Sequence, residues 1–201
     1  FISNVDLSNK LDIASQVNNY FKNLFDGDPT ILPIPNDAPF ELPRIMLNSK
    51  NKLFSCNISP QRVDFIVNKS KVIANGDKEI NTEDAFIKYT NLITQMILEE
   101  LKWSINRLAL ISQCKSRPAG GVIPFLQKML TDSFNKSAKE LQLHSLKIIE
   151  INDFKVNYWL RLISQNSGTE REFLLIASDL NTSQTEKYDV NKDSSKGFFE
   201  A

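Results

Sequence analysis

The sequence predicts an α+β fold in which mainly antiparallel sheets pack on a long central helix. Two groups of short segments alternate apolar and polar residues, which is the period of a strand. The turns between them are too short for parallel crossovers, which need a dozen or more residues. A third segment, 82–103, carries the longest helical apolar stripe in the chain. The predicted order is helix, three strands, helix, strand, helix, three strands.

The 201 residues contain 41% hydrophobic residues, which is enough for one substantial core or two small ones. We therefore predict a single α+β domain over 1–182 and a polar tail or linker over 183–201. The order of the elements also suggests a pseudo-repeat, with halves 8–80 and 120–182 around the helix 82–103. No residue-level repeat supports a duplication.

The first quarter of the chain predicts a helix followed by a proline-rich connection. Ser8 or Asn9 can cap the helix, and its apolar residues recur on one face until Asp26-Gly27-Asp28-Pro29 provides a stop signal. Five prolines from Pro29 to Pro43, with both ends counted, then indicate an extended connection across the surface. A proline-rich ligand for another domain is the alternative interpretation.

From Arg44 the hydrophobic period changes to two. Strands are predicted over 44–48, 52–58 and 62–68. The helix over 82–103 follows, with Glu83 and Asp84 in its first turn, where the helix dipole favours acids.

The second half of the chain begins with an almost wholly apolar segment, 105–113, which predicts a central strand covered on both faces. A short helix is predicted over 123–134. Alternating segments then predict three strands, over 144–154, 157–164 and 171–181.

Net charge argues against a polyanion or membrane partner. The 24 basic residues balance 24 acidic ones, so no chain-wide field attracts nucleic acid or an anionic membrane. No segment approaches the roughly 18 apolar residues of a membrane span, and no signal-peptide pattern opens the sequence. We therefore expect a soluble, cytoplasmic protein with no membrane contact.

The residue inventory disfavours several catalytic chemistries. His144 is the one histidine, and neither a nucleophile-elbow pattern nor a catalytic cysteine signature accompanies it. One histidine and two isolated cysteines cannot supply the usual zinc ligands, and we predict no metal and no cofactor. Cys56 and Cys114 are predicted to be buried free thiols in a reducing compartment, with a lone disulfide as the alternative. The inventory argues against an enzyme but leaves one possible.

One local site stands out because every charge between Leu101 and Thr131 is positive. Within it the loop 114–122 follows a predicted strand and opens a predicted helix, where backbone N–H groups and the helix dipole attract anions. The loop lacks the Gly-Lys-Ser/Thr of a P-loop and the glycine spacing of a dinucleotide fingerprint. A flexible turn with solvated cations is the alternative. The residues predicted to bind an anion are Lys115, Arg117, Gly120, Gly121 and Arg107.

These observations predict a non-catalytic binding or regulatory module. It would act through a partner protein, a second copy of itself or a small anionic ligand. A nucleic-acid accessory protein would use the basic stretch 102–128, with Trp103 or Phe125 stacking on bases, although the balanced charge disfavours it. An enzyme acting on a phosphorylated substrate is the third alternative. No motif carries a resemblance to a known family.

Overall fold

The computed structural model describes residues 1–3, 5–21, 24–35, 37–69, 82–129, 141–165, 172–183, 186, 188 and 190–200. These residues form helices and antiparallel sheets joined by loops, so the fold is α+β. The chain divides into two compact units, a first unit of Phe1–Leu108 with Glu186–Ala201 and a second unit of Ala109–Thr185. One domain over 1–182 stays a prediction, since compactness does not show whether a unit folds alone.

The helices and strands are numbered in chain order. They are β1 (Ile2–Ser3), α1 (Lys10–Tyr20), β2 (Thr30–Ile31), β3 (Ile45–Asn48), β4 (Phe54–Ile58), β5 (Val63–Val67), α2 (Thr82–Gln95), β6 (Ser104–Ile105), β7 (Ala109–Ser116), α3 (Val122–Gln127), β8 (Gln142–Ile151), β9 (Phe154–Gln165), β10 (Phe173–Thr182) and α4 (Lys192–Glu200). The two-residue strands β1, β2 and β6 and the C-terminal helix α4 are absent from the predicted order.

The first unit contains an antiparallel sheet with the strand order β2-β3-β4-β5. Its period-two pattern is explained by burial, because Ile45 and Leu47 on β3 and Cys56 and Ile58 on β4 all point into the core. A separate pair joins β1 to β6. The predicted strands at 44–48, 52–58 and 62–68 therefore differ from β3, β4 and β5 by one or two residues at their ends.

The side chain of Arg44 forms hydrogen bonds to the proline-rich connection. Its side chain is buried, and the guanidinium donates hydrogen bonds to the carbonyls of Leu42, Pro35 and Ala38, each at 3.3 Å. Its backbone N–H donates to the carbonyl of Ile58 at 2.8 Å, which ties the connection to β4. Few carbonyls of the connection can pair with a neighbouring strand. The guanidinium satisfies three of them. The connection is thus a folded loop rather than the extended crossing predicted.

The predicted helix over 82–103 is shorter than expected, and it is not central to the fold. It is α-helical only to Gln95, continues as a π-helical turn over Met96–Glu100 and ends there. Lys102 adopts a left-handed backbone with φ of 56°, and the Trp103 N–H turns back to the carbonyl of Ile97. A left-handed residue of this kind terminates a helix.

Aromatic contacts pack α2 within the first unit. The Tyr89 ring meets the Phe54 ring edge-on at 5.4 Å between centroids, and the Phe86 ring stacks on Phe65 at 6.0 Å. These contacts place α2 against β4 and β5. The helix has 14 residues and packs on the sheet of its own unit, so the prediction of a long central helix was wrong.

The predicted polar tail contains a helix. Asn191 caps α4, since its side-chain oxygen accepts from the Ser194 N–H at 2.9 Å and its own N–H donates to the Ser194 hydroxyl at 3.0 Å. Ser195 and Phe198 are buried, and α4 packs against α2. The helix was not predicted because its sequence is mostly polar, and only one narrow face of it is buried.

The second unit contains a four-stranded antiparallel sheet with the order β7-β10-β9-β8. One face of it contacts α3. Val122 and Leu126 of this helix are buried against Leu141 and Leu174, and Leu162 lies at the edge of the cluster. Of the predicted helix 123–134, only the part to residue 127 is seen as α-helix, and residues 130–134 lie outside the described residues.

The segment 105–113 is not one central strand. Its first residues belong to the first unit, where Leu108 is buried, and its later residues begin β7 in the second unit. Within the described residues β7 pairs with β10 alone, and Ile111 is 61% exposed. The continuous apolar run therefore reflects two separate environments on either side of a unit boundary. An edge strand with apolar side chains cannot be distinguished from a central strand by hydropathy.

None of the helices in the described part of the chain is long and apolar enough to cross a membrane.

The packing of α2 can be tested by Ile93→Asp. Ile93 is 5% exposed, so the new carboxylate would lie unpaired in the core, and the free energy of unfolding should fall by about 3–5 kcal/mol. Leu11→Asp is the control, because Leu11 is 66% exposed on α1, and its effect should stay within about 0.5 kcal/mol. Urea denaturation measures both. Equal stability of Ile93→Asp and the parent would contradict the burial of this helix face.

The role of Arg44 can be tested by Arg44→Met, which keeps the length of the side chain but removes its donors. Three loop carbonyls would lose their partner, and the free energy of unfolding should fall by about 2–4 kcal/mol. Arg62→Met is the matched control, since Arg62 forms a partly exposed ion pair with Asp64 at 2.9 Å, and this variant should lose at most about 1 kcal/mol. A larger loss for Arg62→Met than for Arg44→Met would overturn the assignment.

Candidate binding surface

The predicted anion-binding residues fall into both units. Lys115 lies near the end of β7, and Arg117 follows it; both are exposed. Gly120 and Gly121 form the turn before α3. Arg107 lies in the first unit, where its guanidinium covers the Phe1 ring at 4.7 Å. Four of the five residues therefore lie in one short segment of the second unit, and Arg107 lies in the first unit.

The glycine loop is a tight turn. Gly120 and Gly121 have φ angles of 84° and 97°, which residues with a side chain rarely adopt. The Gly121 N–H donates to the carbonyl of Pro118 at 3.2 Å. The helix that follows has six residues, and Pro124 in its first turn has no N–H to offer. The dipole of this short helix is correspondingly weak, and its first turn offers few N–H groups. Binding of an anion here would therefore depend on the nearby cations.

Lys115 is held in place by an aromatic ring. Its ammonium lies 4.4 Å from the centroid of the Phe173 ring, and Phe173 itself is buried. A cation over the face of a ring at this distance is attracted by the ring quadrupole. The contact orients Lys115 on the face of the sheet opposite α3.

The sheet register places further basic residues on this face. Directly opposed residues of neighbouring strands project to the same side, so each row across the sheet shares a face. We define the Arg161 face by three adjacent rows, namely Gln142, Ile163, Leu175 and Lys115; His144, Arg161, Ala177 and Gln113; and Leu146, Trp159, Asp179 and Ile111.

Arg161 is the cation nearest the middle of this face. It is exposed, and its guanidinium lies 5.7 Å from the centroid of the Trp159 ring. His144 is exposed directly opposite it on β8, and Lys115 lies one row away on β7. Successive rows are about 7 Å apart, so these groups can be spanned by one extended peptide. Sequence analysis missed Arg161 because only strand pairing brings it close to Lys115.

Apolar residues flank the cations. Ile111 on β7 is 61% exposed, and Leu146 and Ile148 on β8 are 47% and 72% exposed. Ile111 and Leu146 lie at opposite ends of the same row. Single exposed apolar residues are common, but exposed apolar residues on both edge strands beside cations are typical of a surface that binds another protein.

One acid lies in these three rows. Asp179 stands between Trp159 and Ile111, and its carboxylate accepts a hydrogen bond from the Asn181 side chain at 2.9 Å. Positive groups therefore predominate on the described Arg161 face.

The two aromatic residues predicted to stack on bases lie in apolar surroundings. Trp103, predicted to stack on bases, is buried, and Phe125 packs against the α3 cluster. The basic stretch 102–128 is divided between the two units. Among the described residues no group of three His, Cys, Asp or Glu side chains could hold a metal ion.

The two cysteines differ in environment. Cys56 is a buried free thiol, as predicted, but Cys114 is a free thiol exposed on the edge strand β7. Burial raises the pKa of the Cys56 thiol to about 12, and the Asp64 carboxylate acts in the same direction.

The chain matches no protein-family model, and comparison with curated proteins and with solved structures finds no match.

The thiol environments predict the course of labelling by a disulfide reagent at pH 8. Cys114 should react within the mixing time or soon after, whereas Cys56 should react only on unfolding, because it is inaccessible and remains protonated. Absorbance of the released thiolate measures the two phases. Cys114→Ser should remove the fast phase alone. Rapid reaction of both thiols in the native protein would contradict the burial of Cys56.

Proposed function

We propose that this protein is a non-catalytic binding module whose Arg161 face binds an acidic segment of a partner protein. The observation that carries the proposal is the register of the second sheet. It sets Lys115, Arg161 and His144 on two adjacent rows, beside the exposed apolar side chains of Ile111 and Leu146.

The spacing favours a peptide over a small anion. Lys115 and His144 lie on the two edge strands, with Arg161 between them, so their donors do not converge on one phosphate-sized point. An extended segment can place several carboxylates along the same span. The apolar residues of such a segment would cover Ile111 or Leu146. A purely charged ligand would leave these side chains exposed to water.

The ring contacts of the two cations support this interpretation. The contacts of Lys115 with Phe173 and of Arg161 with Trp159 restrict two long side chains before any partner arrives. Ordering such a side chain at an interface costs about 0.5–1.5 kcal/mol, and part of that cost is already met in the free protein.

The proposal includes a cytoplasmic location. Two free cysteines accord with the reducing conditions of the cytoplasm. A small anionic ligand at Lys115 and Arg117, a nucleic acid on the same cations, and a phosphorylated substrate are the alternatives that binding experiments would separate.

The binding proposal can be tested with a short peptide of alternating Glu and Leu, using Gln-Leu and Lys-Leu peptides of equal length as probes of charge. Calorimetric titration should show affinity in the order Glu-Leu, Gln-Leu, Lys-Leu. Lys115→Ala with Arg161→Ala should weaken Glu-Leu binding tenfold to a hundredfold, or about 1.4–2.8 kcal/mol.

Lys50→Ala with Lys192→Ala is the control, because both are exposed lysines of the first unit. It should leave the affinity within about twofold. Tighter binding of inorganic phosphate or of an oligothymidylate than of the acidic peptide would favour an alternative. Equal binding by the parent and the Lys115→Ala, Arg161→Ala variant would exclude the Arg161 face.

A further inference from the structure

The strand β8 forms one edge of the second sheet. Within the described residues it pairs with β9 alone, although it is ten residues long. Folded proteins usually shorten, cover or charge such an edge, because its free N–H and C=O groups can pair with another strand. Here the middle of the edge holds Leu146 and Ile148, both exposed.

The direction of the free backbone groups follows from one contact. The carbonyl of Leu141 accepts a hydrogen bond from the Ser164 N–H at 3.0 Å, so residue 141 points its backbone groups toward β9. Direction alternates along an antiparallel strand. The residues whose N–H and C=O groups point to the free edge are therefore Gln142, His144, Leu146, Ile148 and Glu150, and the side chains of all five are exposed.

We propose that β8 pairs with β8 of a second copy of this chain, antiparallel about a two-fold axis at Leu146, to give a symmetric dimer with a continuous eight-stranded sheet. This inference does not rest on the proposed acidic partner, because the main-chain groups at the outer edge of β8 carry it. Leu146 and His144 nevertheless belong to both surfaces, whereas Lys115 and Arg161 lie on other strands.

The register follows from length and charge. In a two-fold antiparallel pair the residue on the axis opposes itself, and the overlap is longest when the axis lies near the middle of the strand. For β8 these positions are Leu146 and Lys147. An axis at Lys147 would set two ammonium groups directly opposite each other, which is destabilising.

An axis at Leu146 avoids every such conflict. Leu146 faces its own symmetry mate, and Ile148 faces His144 of the second copy. Lys147 faces a serine, Ser145, and Glu150 faces Gln142, so no like charges are opposed along the strand. Both exposed apolar residues gain a cross-strand neighbour. The free backbone groups pair at Leu146, as an axis through an outward-pointing residue requires.

The other edge is a poorer candidate for self-pairing. β7 is shorter than β8, and its central residues Ser112 and Gln113 are polar. Ile111 on β7 nevertheless lies in the same row as Leu146 and has similar exposure, so it provides a matched control.

The first test measures the mass of the full chain by light scattering and sedimentation velocity. The parent should be a dimer at micromolar concentration. Leu146→Lys and Ile148→Lys should each raise the dimer dissociation constant by about tenfold or more, whereas Ile111→Lys should not change it. Circular dichroism establishes that each variant is folded. A monomeric parent, or dissociation caused by Ile111→Lys and not by the β8 variants, would overturn the proposal.

The second test determines the register in a Cys114→Ser background, which removes the exposed native thiol. Leu146→Cys should form an intermolecular disulfide under mild oxidation, because opposed Cα atoms about 5.5 Å apart lie within disulfide range. Lys147→Cys should not, because its symmetry mate is a diagonal neighbour at about 7–8 Å. Cross-linking of Lys147→Cys in place of Leu146→Cys would exclude the axis at Leu146.

Discussion

The backbone ladder of the second sheet is the constraint on which the proposed surfaces depend. Antiparallel pairing of β7, β10, β9 and β8 fixes which residues oppose each other, and a shift of one residue would move every side chain to the other face. Burial of Val122 and Leu126 of α3 against one face pins that register. The opposite face consequently presents Lys115, Arg161 and His144 together, although they belong to three strands.

The first unit is stabilised by different means. Buried side chains on β3 and β4 form its core, and the rings of α2 pack on β4 and β5. The proline-rich loop contributes little apolar area, so its order depends on the buried guanidinium of Arg44 and on the carbonyls that accept from it. A charge that lies in the interior here completes hydrogen bonding that a loop rich in proline cannot complete alone.

The second unit has the opposite character. Its strands are long and its edges are exposed, and aromatic rings hold two of its cations at the surface. Such a sheet leaves apolar side chains in water and leaves the backbone groups of its edges able to pair with another strand. The face and the edge of β8 offer two distinct kinds of contact, the face through charge and the edge through main-chain hydrogen bonds.

The sequence by itself determined the α+β class, the positions of β3, β4 and β5, and the basic character of the segment around Lys115. These features follow from local periodicity and composition, which act over a few residues. Only the tertiary structure decided that the apolar run 105–113 divides between two units, that the helix beginning at Thr82 turns π-helical after Gln95, and that Cys114 is exposed. Only strand register joined Arg161 to Lys115, because the pairing of residues distant in sequence depends on the packing of the whole sheet and leaves no local pattern.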